Sequence, residues 1–98
     1  MYQVSEFKLS YRKKLSYEYE SIVPIEIHEN PLFVKLIIKN NAPVIIALED
    51  DGRKPFTYKF HLIKTNDNVN TKLVKLYVGT FDTMIDANLI TFHVFMEK

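Results

Sequence analysis

The amino-acid sequence predicts an all-β chain, a small antiparallel β-sandwich of about seven strands with immunoglobulin-like architecture. Three observations predict it. Punctuating residues recur roughly every 8–12 positions, the strand spacing of sandwiches and barrels. They are Lys13-Lys14, Pro24, Glu29-Asn30-Pro31, Asn40-Asn41-Ala42-Pro43, Asp50-Asp51-Gly52, Asn66 to Thr71 and Asp82 to Asn88. Between them, apolar and polar side chains alternate with the period of two that puts successive residues on opposite faces of a strand. With 98 residues, 47% of them hydrophobic, the chain holds material for one core, and a single domain over 1–98 is expected. Cys and Trp are absent, so the antibody-domain hallmarks are missing and the term describes architecture only. A five-stranded closed barrel with a short helix is the alternative.

Taken in order, Phe7, Leu9 and Tyr11 alternate with Glu6, Lys8 and Ser10, and Leu15, Tyr17 and Tyr19 alternate with Ser16, Glu18 and Glu20. These two stretches are expected to form a hairpin around Lys13-Lys14. Ile25 and Ile27 continue the pattern after Pro24, which has no N–H for a ladder and so marks an edge, a bulge or a break. Residues 31–40 read two ways. Asn30 as N-cap and Pro31 as first helical residue would start a helix with Leu32, Phe33, Leu36 and Ile37 as its apolar stripe. A strand puts Leu32, Val34, Leu36 and Ile38 on one side and Lys35 and Lys39 on the other. Shortness and β-branched content favour the strand. Val44 to Glu49 reads as a strand buried on both faces, after which Asp51-Gly52 turns the chain in a hairpin. Phe56, Tyr58, Phe60 and Leu62 form one face of a long strand. Val74, Leu76 and Val78 line the next, with Lys75, Tyr77, Gly79 and Phe81 opposite. Residues 84–88 could hold a short helix. Ile90, Phe92, Val94 and Met96 line the last strand, with Leu89, Thr91, His93 and Phe95 opposite.

Thirteen Lys and Arg against 12 acids leave a net charge of +1. This offers no electrostatic basis for nucleic acid or an anionic membrane as the main partner. The absence of Cys excludes a disulfide scaffold and cysteine zinc sites. The N-terminus lacks the basic-then-apolar pattern of a secretory signal, and no apolar run is long enough for a membrane helix. A cytoplasmic protein is expected. Lys outnumbers Arg 11 to 2, a bias of AT-rich genomes such as those of many phages and plasmids.

No constellation for catalysis stands out. No Ser sits in a Gly-flanked elbow, and two isolated glycines, Gly52 and Gly79, cannot cradle a phosphate. His61 and His93 point away from the apolar faces of their strands and could meet near Asp82, Asp86 or Glu97. With no paired spacing, His28, His61 and His93 read first as hydrogen-bonded strand residues. Glu49, Asp50 and Asp51, followed by Arg53 and Lys54, read as a solvated turn that can serve as a recognition tip. Phe56, Tyr58 and Phe60 beside Lys59, His61 and Lys64 have the composition of a base-stacking surface, but the rings share the face expected in the core.

The informative feature is an excess of apolar residues on the last two strands. Beyond the core face, Tyr77, Phe81, Leu89 and Phe95 lie opposite, mixed with Lys75 and His93. A second face bearing aromatics needs cover or a partner. Tyr17 and Tyr19 add amphipathic aromatic surface of the kind enriched at interfaces. The expected function is therefore a non-catalytic protein-interaction module, an accessory or inhibitor protein of phage or mobile-element type. It would bind a protein or a second copy through a sheet face, an edge strand or the loop from Asp50 to Pro55. The expected contact residues are Tyr77, Phe81, His93, Phe95, Tyr17, Tyr19, Asp50, Asp51, Arg53 and Lys54. No catalytic residue, cofactor or metal is expected. The alternatives are a self-assembling structural subunit of virion or tail type, and a barrel that binds single-stranded nucleic acid.

Overall fold

The computed structural model describes the backbone of residues 1–11, 13–15, 18–19 and 21–97, and the side chains of 1–11, 21–74 and 76–97. The described strands are β1 (Tyr2–Lys8), β2 (Lys13–Leu15), β3 (Glu18–Tyr19), β4 (Ile22–His28), β5 (Phe33–Lys39), β6 (Ala42–Asp50), β7 (Pro55–Lys64), β8 (Val74–Ile85) and β9 (Asn88–Glu97). Seven of them form two antiparallel sheets, ordered β1-β6-β5 and β4-β7-β9-β8, and β2 and β3 pair with each other. The chain is all-β, and among the described residues none is helical.

Alternation explains the burial. Val34 and Leu36 of β5 and Ile45 and Ala47 of β6 face inward from the three-stranded sheet. They join one buried cluster with Val23, Ile25 and Ile27 of β4, Tyr58, Phe60 and Leu62 of β7, Val78 and Phe81 of β8, and Phe92, Val94 and Met96 of β9. Leu9, just past β1, is buried with them, and Tyr11 packs on the cluster, its hydroxyl donating to Thr83 Oγ1 at 2.8 Å. Two hairpins turn on two residues each, Asn40-Asn41 (φ 52° and 60°) and Asp86-Ala87 (φ 51° and 64°). Positive φ at both centres matches the right-handed twist of the strands.

Several expectations change. The hairpin expected around Lys13-Lys14 is not formed by the first alternating stretch: β1 pairs with β6, Tyr2 opposite Asp50 and Lys8 opposite Val44. Only the short β2–β3 pair follows it. Asp51-Gly52 does not close a hairpin either, because β6 and β7 belong to different sheets and the turn carries the chain between them. Residues 33–39 are strand, as favoured, and 84–88 are the end of β8 and its turn instead of a helix. Pro24 lies in β4, an edge strand, where its missing N–H faces no neighbour.

The face assignment of β8 is also corrected. The register of β8 against β9 shifts between Val74 and Leu76 and again between Tyr77 and Gly79. Each extra residue inverts the parity that follows it. Phe81, expected opposite the core, is therefore 3% exposed and part of it, and Val74, expected inside, pairs with Glu97 on the outer side, while Leu76 keeps the core side opposite Met96 but is exposed there.

Candidate functional site

The outer face of the four-stranded sheet gathers the polar and aromatic groups singled out above. The ladders pair Ile22 with His61, His61 with Phe95, and Phe95 with Tyr77, so one row crosses all four strands. The next row pairs Ile63 with His93 and His93 with Thr80. Tyr77 is 54% exposed, and its ring lies on that of Phe95 with centroids 5.4 Å apart and planes at 57°.

Hydrogen bonds hold these side chains in place. The Tyr77 hydroxyl bonds Thr80 Oγ1. Thr80 Oγ1 lies 3.1 Å from His93 Nδ1, and Thr65 Oγ1 lies 2.8 Å from His93 Nε2. Both ring nitrogens are thus engaged by hydroxyls, groups that serve either imidazole tautomer. His61 Nε2 lies 2.7 Å from Glu97 Oε2, and Thr91 donates to Asp82 Oδ1 at 2.5 Å. A carboxylate only accepts, so His61 carries its hydrogen on Nε2 when Glu97 is ionised. His61 and His93 share a face but keep separate partners. Among the described residues no three His, Asp or Glu side chains gather around a common point.

Of the expected contact residues, Tyr77, His93 and Phe95 are together. Phe81 is on the opposite, inner side. Tyr17 and the Tyr19 side chain lie outside the described residues. Asp50, Asp51, Arg53 and Lys54 lie where β6 passes to β7 between the sheets, and the two aspartates are engaged there. The Met1 amine donates to Asp50 Oδ1 at 2.8 Å and to Asp51 Oδ1 at 3.0 Å, and Gly52 N donates to Asp50 Oδ1 at 3.0 Å. The amine and the Gly52 amide hold the Asp50 carboxyl below its usual range. Thr80 and Thr65 were missed. Thr80 comes into register only through the β8 bulge, and Thr65 reaches His93 from the start of a loop.

Glu49 was expected in the solvated turn but is buried in β6. His28 N donates to Glu49 Oε1 at 2.8 Å, and His28 Nδ1 lies 2.8 Å from the same oxygen. Burial opposes its charge, but the Ser5 hydroxyl, the His28 amide and the His28 ring together outweigh burial and lower its pKa. The signal was present in the sequence: Glu49 shares parity with Ile45 and Ala47, both inward.

Among the described residues, two further open grooves lie away from the Tyr77 row. One, of about 820 Å³, runs between the Asn40-Asn41 turn and Asp82-Thr83. The other, of about 660 Å³, is lined by Pro31, Leu32, Tyr58, Leu76 and Met96. Neither touches the Tyr77 row. Of the ring set of the base-stacking reading, Tyr58 and Phe60 are buried and Phe56 is exposed, so the three rings do not form one open surface. Among the described residues no helix is long and apolar enough to cross a membrane. No protein-family model, curated protein or solved structure matches the chain.

Proposed function

We propose that this chain is a non-catalytic protein-interaction module of β-sandwich architecture, a cytoplasmic accessory protein that engages a protein partner through the outer face of its four-stranded sheet. One observation carries the reading. Tyr77 stands exposed at the end of a row with Ile22, His61 and Phe95, its ring seated on Phe95 and its hydroxyl tied through Thr80 to His93. An aromatic held in one orientation loses little freedom on binding, which favours recognition. Apolar groups at the centre with imidazoles and hydroxyls around them match the composition of protein interfaces. The sandwich reading is supported by the buried cluster shared between the sheets and by a shortest extent of 19 Å, which suits two layers about 10 Å apart.

The test compares wild type with Tyr77→Ala and Phe95→Asp in affinity capture from the source cell. The expected result is a partner retained by wild type and lost by both variants, each variant keeping its circular dichroism and melting temperature. Phe95 points outward, so Asp is expected to be tolerated there. Unfolding of Phe95→Asp would make it a core residue and sink the reading. Light scattering is expected to show a discrete monomer or dimer; large assemblies would favour the structural-subunit alternative.

A further inference from the structure

The second exposed binding element is on the other sheet. The hydrogen bonds that flank β1 define its polarity: Asp51 N donates to Met1 O at 3.1 Å, and Leu9 N donates to Pro43 O at 3.3 Å. Odd-numbered residues of β1 therefore bond β6, and the amides and carbonyls of Tyr2, Val4, Glu6 and Lys8 point to the open side of the sheet.

The other three edges of the two larger sheets are guarded. In β4 the flanking bonds Leu62 N to Ser21 O and Glu29 N to Lys54 O turn the even residues outward. Of these, Pro24 has no N–H, and the His28 N–H is taken by Glu49. The edges of β5 and β8 pack against one another, with Gly79 against Leu36. By contrast β1 is seven residues long, free of proline and of register shifts, and among the described residues bordered on one side only. An edge of this kind is a template for an added strand.

We infer that β1 accepts an extended segment of a partner protein by antiparallel strand addition, and that this segment carries an acid opposite Lys8 and apolar side chains opposite Val4 and Tyr2. The outer-face rows specify this chemistry. Val4, 63% exposed, continues into Leu48 and exposed Phe33, so an apolar residue beside it extends an apolar row. Glu6 already receives both its bonds from Lys39 Nζ at 3.0 Å. Lys8 shares its row with Val44 and Ile37 and has no ion pair among the described residues. An acid across from it supplies the missing opposite charge, whereas a like charge there would repel. A second copy fits less well, because two β1 strands aligned over their full length place Tyr2, not an acid, opposite Lys8.

This inference does not depend on the Tyr77 face. The probe is a fluorescein-labelled peptide, Asp-Thr-Thr-Ser-Val-Thr-Ile, which sets Asp against Lys8, Val against Val4 and Ile against Tyr2. Saturable binding is expected, with slowed hydrogen exchange at the Val4, Glu6 and Lys8 amides. Val4→Pro removes an outward N–H without touching the β1–β6 ladder, so it is expected to stay folded and weaken binding by about tenfold or more. Lys8→Glu is expected to weaken the peptide and to be rescued by a peptide with Lys in place of Asp. Tyr77→Ala is expected to leave this binding unchanged, which separates the two sites. Absence of binding, or binding indifferent to a folded Val4→Pro, overturns the inference. Protection of the same amides that rises with protein concentration without peptide assigns the edge to a second copy and overturns it as well.

Discussion

Glu49 is 3% exposed and charged, and Gly79 has no side chain at a crowded place; each controls more than its size suggests. Glu49 joins the end of β4 to β6 through His28. Glu49→Gln removes the charge that Ser5 and His28 solvate, and should cost about 1–3 kcal/mol in urea denaturation. Because the folded pKa of Glu49 is lowered, its stabilisation is complete above the ordinary value of 4.5 and is lost as pH falls through the folded value. Unfolding midpoints should therefore hold steady above about pH 5 and drop below it. The drop should be shallower in Glu49→Gln. At Gly79, φ is 153° and a Cβ would lie 2.7 Å from Leu36 Cβ. Gly79→Ala should destabilise by about 2–4 kcal/mol, since neither the backbone nor the β-carbon of Leu36 can yield cheaply. An unchanged midpoint would mean that β5 and β8 do not approach so closely.

The β8–β9 hairpin carries a local cost. Ala87 has φ 64°, a region that glycine enters freely and alanine does not. Ala87→Gly should stabilise by about 0.5–1 kcal/mol with an unchanged denaturant slope. The equivalent turn in β5–β6 uses Asn40-Asn41, for which positive φ is easier, so no comparable gain is expected there. The same hairpin shows where reading the chain residue by residue stops working. Alternation along β9 was correct: Phe92, Val94 and Met96 are buried. In β8 the two register shifts sent Phe81 inward beside Phe92 and Val74 outward beside Glu97, although the residues themselves alternate plausibly either way. A bulge is a property of a strand pair, and one strand's sequence does not display it.

Across the whole molecule, side chains from both sheets share one buried cluster, with Phe60 and Phe92 fully enclosed. Neither sheet can keep its inner face without the other. Urea unfolding should be a single transition, coincident by far-ultraviolet circular dichroism and tyrosine fluorescence. Two separated transitions would show that the sheets are independently stable.

Apolar–polar alternation was enough to establish an all-β chain, most strand positions, and which side of β4, β5, β7 and β9 faces the core. It also brought Tyr77, His93 and Phe95 forward as an outward group. Those properties are local, because a strand's two faces follow from its own side chains. Partnership is different. Every strand offers the same backbone donors and acceptors, so nothing in residues 2–8 announces that they pair with 44–50 and not with their sequence neighbours. The choice is made when two inner faces must be covered at once. That choice put Glu49 beside His28, Thr80 and Thr65 on His93, and left β1 with an open edge.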